Sequence, residues 1–167
     1  MIRAGAEGSA VPTTRRCLLV LFAALVPLAC GPRLDARELD AVESEISARI
    51  GSASGALDRL DGDALRAERE GLVRLRLRAE KIHLPTEAWA VRVGLLAALD
   101  ATADGLGAAA AAVDLQREAE APRFDPVRGK ELLDRSALSM ELCRRRLEDA
   151  LAALGRVHEE RARLEAH

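Results

Sequence analysis

From Leu39 onward, apolar residues return every three or four positions, the spacing that gathers them on one face of an α-helix. Leu39, Val42, Ile46, Ile50, Ala53, Leu57 and Leu60 form a first stripe, and Leu65, Leu72, Leu75, Ala79 and Ile82 form a second. The phase breaks between the two, because Leu60 and Leu65 are five apart. Asp61-Gly62-Asp63 fills the gap with a glycine stop followed by an aspartate cap, which predicts a tight turn between two helices. The alternative is one long helix whose stripe passes through Asp61 at an inserted step. Pro85 sets a firmer boundary, since its ring blocks an interior helical hydrogen bond.

Thr86 is placed to cap a third helix, with the stripe Trp89, Val93, Leu96, Leu99, Ala103, Leu106, Ala110 and Val113. Gly105 and Gly107 each cost that helix about 1 kcal/mol relative to alanine, which predicts fraying or bending at its middle. Residues 121–126 read as a linker, and Asp125 as cap with Pro126 in the first turn is the clearest helix start in the chain. The last helix carries Leu133, Ala137, Met140, Leu147, Leu151, Leu154, Val157 and Leu164, a seam with seven-residue character. Short connections fold consecutive helices back on one another, so the pattern predicts an all-α antiparallel bundle of three or four helices over residues 34–167.

Upstream of these stripes the pattern is different. Arg15-Arg16 precedes thirteen uncharged residues, 17–29, that end in Pro27-Leu28-Ala29 before Cys30-Gly31-Pro32. A positive patch, a short apolar run and a small residue at a cleavage point make an export signal. The run is too short to span a bilayer, where a helix needs roughly 20 apolar residues. The end of this segment resembles the lipobox of bacterial lipoprotein signal peptides. In that family the cysteine thiol receives a diacylglyceryl group, the signal is cut before it, and the new amino end is acylated.

Ala29 matches the small residue before the cut and Cys30 the lipidated residue, with Leu28 tolerable one place earlier. Pro27 departs from the family, which prefers an open-chain apolar residue there, so cleavage without lipid stays open. The resemblance implies a signal peptide over 1–29, a lipidated end and short tether over 30–33, and attachment to the membrane. Gly31 after the cysteine resembles cargo of the outer membrane facing the periplasm. Thr14 to Leu19 also resembles a twin-arginine export motif, while the simpler reading is a positive leader that needs only charge.

Removing 1–29 leaves 138 residues with 22 basic and 26 acidic side chains, a net charge of −4. With both signs interspersed, this is a soluble surface and not a nucleic-acid footprint. The remainder has one Trp, one Phe and no Tyr. Strand formers are therefore scarce, and the stacking platforms of single-stranded nucleic-acid binders cannot be built.

The candidate chemistry is thin. His158-Glu159-Glu160-Arg161-Ala162 starts like a zincin helix but has Ala162 where the second histidine belongs. Glu80-Lys81-Ile82-His83 presents Glu-x-x-His as di-iron bundles do, but a second copy and two further glutamates are missing. Cys143 reads as a small packing residue, with a thiol activated by Arg144 to Arg146 as the rival. Arg74, Arg76, Arg78 and Lys81, and Arg144 to Arg146, are basic clusters suited to lipid phosphate or an acidic partner. Interleaved glutamates make a solvated face the simpler reading. No catalytic residue, cofactor site or metal site is assigned. The expectation is a non-enzymatic, lipid-anchored protein with a structural or protein-interaction role at the bacterial envelope. The alternative is a small helical metal or cofactor binder built around His83 and His158.

Overall fold

The computed structural model describes residues 36–121 and 126–166. The expected leader, the cleavage point at Ala29 and Cys30, the tether and the Asp125 cap lie outside them. Among the described residues there are four α-helices and no strand: α1 Ala36–Asp58, α2 Gly62–Ala79, α3 Trp89–Ala119 and α4 Pro126–Glu165. A 3-10 turn, Thr86–Ala88, leads into α3. The all-α bundle is thus observed, with four helices.

A tight turn, not a continuous helix, separates α1 from α2, but it is built differently from expectation. The N–H of Leu60 donates to the Leu57 carbonyl at 3.0 Å and that of Asp61 to the Ala56 carbonyl at 2.9 Å. These crossed bonds are a Schellman ending, which needs a left-handed residue just past the helix. Leu60 takes that role at φ 52°, a conformation that costs a side-chain-bearing residue roughly 1–2 kcal/mol. Asp61, not Asp63, caps α2, its carboxylate accepting from the Ala64 N–H at 3.0 Å. Gly62 is not a stop. It opens α2 beside α3, where a Cβ would stand 2.8 Å from a carboxylate oxygen of the half-exposed Asp114 side chain, which can swing aside.

The second stripe is buried as predicted, from Leu65 through Ile82. The third is out of phase at its start. Trp89 is 66% exposed and Val93 42%, while Val91, Leu95, Ala98 and Thr102 turn inward. This helix is so rich in alanine and leucine that several faces are apolar, and close packing decides among them. A Cβ on Gly94 would sit 2.7 Å from Val157 Cγ2, and one on Gly105 3.4 Å from the Cys143 carbonyl oxygen. The glycines therefore mark the α3–α4 contact, and the helix runs unbroken through Gly105 and Gly107. Thr86 makes no capping hydrogen bond, since the 3-10 turn starts beside Pro85 and α3 begins only at Trp89.

The predicted seam on α4 is corrected in its first half. Leu133 and Ala137 are exposed, and the buried line runs through Leu132, Ser136, Cys143, Leu147, Ala150 and Leu154. The cause is the reach of the neighbouring helices. Gly62 at the start of α2 lies beside Ala110 and Asp114 of α3, and the Ser136 hydroxyl donates to the Ala112 carbonyl at 2.9 Å. Residues of α4 before Ser136 therefore lie past the end of the α1–α2 pair and have only α3 to pack on. Among the described residues, Thr86–Ala119 alone is long and apolar enough to cross a membrane, yet 56% of its apolar window is buried in the bundle.

Candidate functional site

Among the described residues, the buried charged side chains are Glu43 and Arg161. Arg161 of α4 and Glu43 of α1 keep only 7% and 6% of their side chains exposed, and are joined at 2.9 Å. A second guanidinium nitrogen reaches Asp40 at 3.1 Å. Burial works against the Arg161 charge, but the attraction and hydrogen bonds of Glu43 and Asp40 outweigh it and hold the group above its ordinary value. Backbone contact between α1 and α4 is absent among the described residues, so this long side chain bridges the gap. Sequence reasoning missed it. Arg161 follows Val157 by four on the buried line of α4, and that continuation was the available signal.

A cavity of about 330 Å³ opens beside the first turns of α1, lined by Glu38, Ala41, Val42, Arg78, Lys81 and Ile82. Its floor is apolar, since Val42 and Ile82 are buried. Its rim carries both signs, and Arg78 is also held by Glu45 at 3.0 Å. It is at the lower end of small-ligand pockets in size, and its lining holds one carboxylate, Glu38, and one amine, Lys81.

The two basic clusters are largely neutralised. Arg76 reaches Asp100 of α3 at 2.5 Å, and that hydrogen bond raises its proton affinity. Arg74 lies 3.7 Å from Glu70. On α4, Glu141 accepts from Arg144 at 2.7 Å and from Arg145 at 3.0 Å, and these bonds hold its carboxyl down at about 2. Arg144 also binds Glu148, while Arg146 is 3.6 Å from Asp149. Glu141 and Arg145, four apart on α4, are therefore paired, and the interleaved acids bind these arginines.

Cys143 is buried, at 1% exposure beneath the α3 contact, where packing explains it and reagents do not reach. Glu80 of the Glu-x-x-His motif pairs with Arg76, and His83 is exposed after the end of α2. His158 is half-buried on α4. No grouping of three or more metal-ligating side chains occurs among the described residues. Compared with protein-family models, curated proteins and solved structures, the chain matches none of them.

Proposed function

We propose that this chain is an extracytoplasmic helical bundle anchored through acyl chains on Cys30, with a structural or protein-interaction role at the bacterial envelope and no catalytic one. The observation that carries the reading is the order of Arg15-Arg16, the uncharged run 17–29 and Ala29-Cys30, because a run this short serves export and not membrane spanning. Several acyl chains hold a protein to a bilayer far more firmly than one. From Cys30 to the first described residue, Ala36, the backbone has six steps, at most about 21 Å of reach. The start of α1 is therefore kept close to the bilayer.

Mass spectrometry of the amino terminus tests this directly. The expected result is a chain beginning at an acylated Cys30, and Cys30→Ala should release the protein from the membrane fraction. A mature chain with an unmodified N-terminus starting elsewhere would overturn the proposal.

A further inference from the structure

Two helices carry exposed seams whose apolar residues the bundle leaves uncovered. On α4, Glu131, Arg135, Leu138, Leu142 and Arg145 are spaced four, three, four and three apart, and all are exposed. On α2, Arg66, Glu70, Val73, Leu77 and Glu80 have the same spacing and are all exposed. This alternation is the seam of a two-helix coiled contact. Leu138 is 71% exposed, Leu142 48%, Val73 42% and Leu77 51%, although burial of such side chains is what drives helices together.

Set side by side in the same direction, the seams match at every position. Glu131 meets Arg66, Arg135 meets Glu70, Leu138 meets Val73, Leu142 meets Leu77, and Arg145 meets Glu80. We infer that the α4 seam of one copy docks in parallel on the α2 seam of a second copy. The match cannot be made within one chain, because both seams face outward and α2 and α4 share no backbone contact.

Nor does the α4 seam suit itself. In parallel, each charge meets its own kind. In antiparallel pairing about the Leu138–Leu142 midpoint, Arg135 faces Arg145 and Glu131 faces Asp149. Complementary charge fixes partner and register even where single exposed pairs add little affinity. Arg135 and Glu131 have no ion-pair partner among the described residues, so their charges are free to meet a second copy, whereas Arg66, Glu70, Glu80 and Arg145 already pair within the chain and would share those partners. The contact joins two different faces, which makes it heterologous and able to extend beyond a pair. The inference does not depend on the anchor, although parallel docking leaves the α1 starts of both copies pointing the same way.

Sedimentation equilibrium of the full chain in density-matched detergent tests it. The weight-average mass should rise with concentration above the 17.9 kDa of one chain. Arg135→Glu alone sets two glutamates face to face, and should raise the concentration for half-association by about tenfold. Adding Glu70→Arg to that variant should restore association to within about threefold of the natural chain. Leu138→Lys should abolish it with the helical melt unchanged, since the side chain is exposed. A single-chain mass at every concentration, association indifferent to Leu138→Lys, or failure of the paired substitution to rescue would each overturn the inference.

Discussion

Arg161→Ala is the most informative change in the bundle. It leaves Glu43, with 6% of its side chain exposed, without the cation that faces it. Removing one member of a buried ion pair costs about 3–5 kcal/mol, because the remaining charge keeps its desolvation penalty and loses its compensation. Asp40 is 43% exposed, and water replaces its partner there, so its loss adds at most a few tenths of a kcal/mol. For a domain of this size, 1 kcal/mol shifts the melting temperature by roughly 4 °C. The variant should therefore melt about 12–20 °C lower when followed by circular dichroism at neutral pH. Arg161→Leu combined with Glu43→Leu removes both charges and should recover most of the loss, since apolar replacement of a buried pair is often neutral or stabilising. A single variant within about 1 kcal/mol of the natural chain would show that water reaches Glu43, and the reasoning would fail.

Two further outcomes follow from the same contacts. Gly94→Ala gains about 1 kcal/mol of helix propensity but drives a methyl to 2.7 Å from Val157 Cγ2. Overpacking costs about 1–3 kcal/mol, so chemical denaturation should show no gain or a net loss, and Val157→Ala on that background should reverse the effect of the alanine. Glu141 titrates at about 2 through its bonds from Arg144 and Arg145. A carboxyl depressed on folding stabilises above its unfolded value of 4.5 and loses that contribution as pH falls toward 2. A carbon-detected NMR titration should place its midpoint near 2, and Arg144→Gln should move it upward; a midpoint near 4.5 in the natural chain would refute the assignment.

How far the fold can be read from the chain differs from helix to helix. α1 and α2 are legible because each has one dominant apolar stripe, and Leu39 to Leu57 and Leu65 to Ile82 are buried where the spacing puts them. α3 is ambiguous because alanine and leucine occupy several faces, so Trp89 and Val93 qualify by spacing and yet lie outside. The charged residues of the bundle surface are legible as a solvated face, whereas Arg161 is not. A buried arginine reads as a surface one until its partner, more than a hundred positions away, is known.

The sequence by itself determined the helical class and the places where helices begin and end to within a turn. Those depend on local propensity and capping, both properties of neighbouring residues. Only the tertiary structure decided which face of α3 and α4 is buried, why Gly94 is a glycine, and that Arg161 closes α1 onto α4. Each of these is set by the approach of another helix, and residues far apart in sequence carry no mutual signal until the backbone brings them together.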